Sequence, residues 1–228
     1  MHTLFAYIFR WTYNWLGIRA YWYISKLLLR PTYGDSNYEH LNGELAKYKG
    51  NLLTIGGGYF INDTFYGNKK TEILEINGNR NLSWSVESDL EFTQGKYIID
   101  YSLVTVEPSD IHEEYVLLFG GISDDYIGQE NVLKFNGSWF LFGKLNKPRK
   151  SHKSIYWNGA VYVIGGSYDS DQYNYGEYNY SEYENTKMEI WDIKNSPDQF
   201  QTTENWPELF GWNYPHLFVV TDSFFPDY

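Results

Sequence analysis

Three times this chain drives a short apolar run into a pair of glycines: LLTIGG at residues 52–57, VLLFGG at 116–121 and VYVIGG at 161–166. A polar loop follows each pair, then a second strand-like run, then a tryptophan. One glycine pair would be an ordinary turn. Three in the same order indicate a repeated supersecondary unit whose copies stack to bury a shared core.

The first glycines of successive pairs, Gly56, Gly120 and Gly165, are 64 and then 45 residues apart. The second runs are TEILEIN (71–77), NVLKFN (131–136) and TKMEIWDI (186–193), followed by Trp84, Trp139 and Trp206. Loop length varies while order holds. The predicted strands at 52–55, 116–119 and 161–164 are each the second of their unit and largely buried. The glycine pairs suit crowded bends that require positive φ, and the tryptophans suit wedges between units. With 23 Tyr, 14 Phe and 9 Trp, and 20 Gly against 7 Pro, the composition fits strands joined by many turns.

The third unit reads KPRKSHKSIYWNGAVYVIGG from Lys147. In Pro148, Arg149, His152, Asn158-Gly159 and Gly165-Gly166 it resembles the kelch family. The resemblance implies an all-β, kelch-like β-propeller built from four-stranded antiparallel blades, and it gives His152 a structural role. Three units span residues 37 to about 209, and GWNYPHLFVVTDSFF (211–225) looks like the opening of a fourth. The expected ring is therefore incomplete, with three to four blades. Unpaired faces would invite self-association.

Residues 1–36 differ from residues 37–228, which hold the blades. The first 30 carry Arg10, Arg19, Lys26 and Arg30 with no acid, leaving 14 bases against 29 acids in the rest. On a helical wheel Arg19, Lys26 and Arg30 fall within about 40° of one another, so residues 15–30 could form an amphipathic helix. Contact with an anionic membrane is weighed against docking on the open propeller edge, and docking is preferred. No uncharged run reaches the ~18 residues of a spanning helix, and Arg10 interrupts the pattern of a secretory signal.

The chain has no cysteine, which excludes disulfides, thiolate metal sites and cysteine nucleophiles. It also excludes the cysteine–tyrosine cross-link of the copper oxidases that share the kelch fold. A reducing compartment is permitted, and an intracellular location is slightly favoured. Sequons stand at Asn62, Asn81, Asn136 and Asn179, relevant only on a secretory route. A net charge of −11 argues against a nucleic-acid partner.

No phosphate loop, nucleophile elbow or paired-carboxylate motif is present, and no cofactor is expected. Asp169-Ser170-Asp171 resembles the start of a calcium loop but lacks the glycine and closing glutamate that follow. The candidate binding residues lie in the loops after the glycine pairs, at 59–70, 122–130 and 167–185. They are Asp124, Asp125 and Tyr126 in the second loop. The third contributes Tyr168, Asp169, Asp171, Tyr173, Tyr175, Tyr178, Tyr180 and Tyr183, where tyrosine and acid alternate. Tyrosine supplies rigid apolar area with a hydroxyl, although a solvated insertion would read the same way. The expected function is a noncatalytic module binding a protein through loops on one propeller face. A sugar or small-molecule enzyme on the same scaffold, and a nonfunctional fragment of a longer kelch protein, are the alternatives.

Overall fold

The computed structural model describes residues 36–77, 81–91, 95–109, 112–124, 128–167 and 188–193. The chain divides after Asp35, and every described residue belongs to the second unit, Ser36–Tyr228. The described residues form strands joined by turns and contain no helix.

Three antiparallel sheets follow one another along the chain. The first contains β1 (Leu45–Tyr48), β2 (Asn51–Ile55), β5 (Thr71–Asn77) and β6 (Asn81–Val86), in the order β1-β2-β5-β6. Between β2 and β5 the chain makes a separate hairpin of β3 (Gly58–Ile61) and β4 (Thr64–Gly67). The second sheet holds β7 (Ser102–Val106), β8 (Tyr115–Phe119), β9 (Gln129–Phe135) and β10 (Trp139–Arg149), each beside its chain neighbour. The third orders β11 (Lys153–Trp157), β12 (Ala160–Ile164) and β13 (Glu189–Asp192) in the same way.

Local sequence explains the turns. Lys49-Gly50 and Asn158-Gly159 each join two strands with both residues at positive φ, the geometry of the two-residue turns that match strand twist. The second sheet instead links β7 to β8 through residues 107–114.

The sheets pack face to face in chain order. One cluster joins Leu53, Ile55 and Ile73 of the first sheet to Leu103, Val116, Leu118, Leu133 and Trp139 of the second. A second cluster joins Val104, Leu117, Phe119 and Val132 to Val161, Val163 and Trp191 of the third. Alternate side chains of β8 point to opposite sheets, and all five are buried. That is why YVLLF is apolar without alternation.

Each expected second strand is present: 52–55 within β2, 116–119 within β8 and 161–164 within β12. Trp139 is the wedge its sequence position implies. It is buried between the first two sheets, and its Nε1 donates to Thr71 Oγ1 at 2.7 Å. Trp84 corrects the same expectation, since it lies on the outer strand β6 and is only half-buried. Residues 59–70, expected as a loop, are largely the β3–β4 hairpin. Trp206, the expected fourth unit and residues 15–30 lie outside the described residues.

Candidate functional site

Each glycine pair ends the second strand of its sheet before the chain turns back into the same sheet. Gly120 and Gly121 have φ of +55° and +96°, and a Cβ on Gly120 would sit 2.3 Å from the Arg149 carbonyl oxygen. A Cβ on Gly121 would sit 2.8 Å from the Ile99 carbonyl oxygen. Backbone atoms hem in both positions, so only glycine fits. Gly121 N donates to Arg149 O at 2.8 Å, and Gly57 N donates to Ile98 O at 2.9 Å. Each pair is thus stitched to a segment that leads into the next sheet. The loops after the pairs accordingly lie against these connections: Ile122 bridges Ile99, and Ser167 bridges Lys150.

Two of the three units fasten the segment that leads into their sheet with a buried acid. Glu72 on β5 accepts hydrogen bonds from Asn37 N (2.9 Å), Asn37 Nδ2 (2.7 Å) and Tyr38 N (3.0 Å). His40 Nε2 lies 2.8 Å from the same carboxylate, and its Nδ1 lies 2.6 Å from Gly56 O. Both ring nitrogens face acceptors, and which of them donates depends on the tautomer. On β13, Glu189 accepts from Asn146 N (2.8 Å) and Arg149 Nε (3.0 Å), while Arg149 Nη1 donates to Gly165 O at 2.8 Å. The two arrangements correspond residue by residue. Each is Asn-x-x-His or Asn-x-x-Arg, with the His or Arg 16 residues before the first glycine of its pair.

The middle unit has an apolar residue in place of each member of the pair. Its position three residues before Tyr101, matching Arg149 before His152, is Ile98. Leu133 pairs with Leu118 just as Glu189 pairs with Val163 and Glu72 with Thr54. Ile98 and Leu133 are fully buried in one apolar cluster. Replacing a buried ion pair by packed apolar groups is the exchange that proteins tolerate, whereas removing one partner is not.

His152 is buried against Gly120 and Gly166, where a Cβ on either glycine would meet it within about 3.0 Å. Burial, and then the Arg149 guanidinium, push its pKa down to about 3. The Phe119 backbone approaches the ring without closing a hydrogen bond of normal geometry. The imidazole is a neutral packing element, in accord with the structural role expected of it. Burial also lowers the pKa of Arg149, against the opposing pull of Glu189.

A third polar cluster joins the first strands of all three sheets. Lys153 Nζ donates to Glu44, whose other oxygen accepts Leu103 N at 2.9 Å. Ser154 N donates to Ser102 Oγ at 2.9 Å, with the two hydroxyls 2.8 Å apart. Burial lowers the Lys153 pKa. These groups are spent on holding β1, β7 and β11 together.

The exposed surface on the glycine-pair side is the β3–β4 hairpin, GYFINDTFYG. Asn62-Asp63 is a two-residue turn with φ of +46° and +61°, and Ile61 pairs with Thr64 across it. Strand alternation puts Tyr59, Ile61, Thr64 and Tyr66 on one side and Phe60 and Phe65 on the other. Phe65 packs edge-on against Tyr97 at 5.1 Å, anchoring its side to the connection between the first two sheets. On the opposite side Tyr59 and Tyr66 stack at 5.4 Å and 15°. Phe60, Ile61 and Tyr66 are 57%, 50% and 47% exposed.

Of the binding residues expected from sequence, Asp124 is exposed and accepts Lys96 N at 2.9 Å, so it holds a connection as well as facing solvent. Asp125, Tyr126, Tyr168, Asp169, Asp171, Tyr173, Tyr175, Tyr178, Tyr180 and Tyr183 lie outside the described residues. The hairpin aromatics were missed, although aromatics mirrored about Asn-Asp are a readable hairpin signal. Among the described residues, no three His, Asp or Glu side chains are grouped to hold a metal.

No protein-family model and no curated protein matches the chain. Among solved structures it is similar to YjhT, at 17% identity and a TM-score of 0.44. The similarity covers 61% of this chain and 40% of the YjhT chain, so the chain spans well under half of that protein. A likeness of this extent assigns neither a family nor an activity; the described residues are all-β and form successive antiparallel sheets.

Proposed function

We propose that the three sheets are successive blades of a kelch-like β-propeller, acting as a noncatalytic module that binds a protein through its glycine-pair face. The blade reading draws support from the repeated strand order, the face-to-face packing in chain order and the linkage of β1, β7 and β11 at their starts. The observation that carries the binding reading is the exposed Tyr59–Ile61–Tyr66 surface on an anchored hairpin. A stacked tyrosine pair loses little conformational entropy on binding, and exposed aromatics are the usual centres of protein interfaces. The internal polar clusters are committed to joining sheets, whereas this rim presents stacked aromatics to solvent on an anchored hairpin.

The test compares the full chain with a Tyr59→Ser/Tyr66→Ser variant as bait, followed by direct titration of any captured protein. The two tyrosines are partly exposed, so the variant should keep its melting temperature within a few degrees and lose the partner. Equal binding by both baits would sink the hairpin reading. A captured small molecule turned over by the chain would replace it with the enzyme alternative.

A further inference from the structure

We propose that Asn62 is an acceptor for N-linked glycosylation, with the neighbouring Phe60–Phe65 pair as the platform for the first sugar. Asn62-Asp63-Thr64 is a sequon with no proline, the minimal chemistry for oligosaccharide transfer. The fold presents it well, because Asn62, Asp63 and Thr64 are all exposed and the asparagine occupies the first position of a projecting two-residue turn. Phe60 lies two residues earlier, is 57% exposed and pairs with Phe65 at 5.1 Å. An aromatic face beside the acceptor offers an apolar surface to the C–H face of a sugar ring.

The other sequons are placed differently. Asn136 has its side-chain oxygen engaged by the Tyr48 hydroxyl at 3.3 Å, within the tight connection from β9 to β10. Asn81 opens β6 and is paired in register with Asn77. Asn179 lies outside the described residues. Asn136, Gly137 and Ser138 are exposed too, so the projecting two-residue turn and the phenylalanine neighbour, not exposure, favour Asn62.

The donor is a lipid-pyrophosphate-linked oligosaccharide handled by an oligosaccharyltransferase. Asn62 Nδ2 forms a bond to the anomeric carbon as the bond from that carbon to the pyrophosphate oxygen breaks. The amide gives one proton to a base of the transferase, and the lipid pyrophosphate departs with the electron pair. The glycan would stand on the phenylalanine side of the hairpin, opposite the Tyr59–Tyr66 stack. The proposal thus stands independently of the protein-binding reading.

The experiment expresses the full chain in eukaryotic cells from its own Met1, and in parallel behind an added cleavable secretory leader. Glycopeptide mass spectrometry and peptide-N-glycosidase treatment report occupancy at each sequon. A glycan at Asn62 in the chain started at Met1 is expected, lost in Asn62→Gln, and would overturn the intracellular location that the sequence slightly favours. Phe60→Ala should lower occupancy at Asn62 without changing Asn136. A bare Asn62 in that chain overturns the proposal, and the leader arm tells whether compartment or geometry failed. Occupancy indifferent to Phe60→Ala, in a variant with unchanged circular dichroism, overturns the platform.

Discussion

Arg149 and Glu189 meet at 3.0 Å with side chains only 1% and 4% exposed, and the same guanidinium reaches the carbonyl of Gly165. A single cation therefore ties the end of β10 to the third sheet's outermost described strand and to its glycine pair. Glu189→Leu alone should cost about 3–5 kcal/mol by stranding that charge. Arg149→Ile with Glu189→Leu, copying the middle unit, should cost less than either single change. Urea denaturation of the four proteins in the cycle gives the coupling, and additive losses would show that the pair acts as two separate groups.

His152 makes stability depend on acid. Its folded pKa, about 3, lies below the ordinary value of 6.5. Stability is thus complete above about pH 6.5 and falls as the unfolded chain takes up a proton that the folded ring refuses. Between pH 6.5 and 3 the loss is on the order of 5 kcal/mol from this residue. His152→Leu should flatten that part of the pH profile, measured by denaturant midpoints at each pH.

The glycines divide by surroundings. Gly120 and Gly137 both have positive φ, but a Cβ would strike backbone at Gly120 and meet nothing within 4 Å at Gly137. Gly137→Ala should cost about 1 kcal/mol from φ alone, and Gly120→Ala roughly 3 kcal/mol or more. Similar melting temperatures for the two variants would contradict the crowding.

Trp139→Phe removes the donor to Thr71 Oγ1 and leaves a buried hydroxyl between the first two sheets. The expected loss is about 1–3 kcal/mol plus the lost packing. Adding Thr71→Val should recover part of it. No recovery would mean that the indole acts through its volume alone.

Much of the frame was legible because it rests on short-range rules. LLTIGG, VLLFGG and VYVIGG announce a strand running into a crowded bend, and Asn158-Gly159 announces a two-residue turn. The Asn-x-x-His and Asn-x-x-Arg pattern was equally local, at NYEH and NKPR, but its meaning depends on glutamates 32 and 40 residues beyond the His or Arg. No periodicity marks those partners. The hairpin was hidden for another reason: a loop of known position was expected, and its own alternation of aromatics went unread. Trp84 and Trp139 occupy like positions in sequence, yet only Trp139 is enclosed by neighbouring sheets, which no single unit's sequence can state.

Glu72 also fixes where this folding unit must be cut. Its carboxylate is fully buried, and the donors it faces come from Asn37, Tyr38 and His40. A polypeptide begun after Leu41 would keep all four strands of the first sheet and yet enclose a buried carboxyl group deprived of those donors. Trimming by strand boundaries alone would therefore yield a protein that purifies poorly for an electrostatic reason. The smallest piece worth expressing starts no later than Ser36.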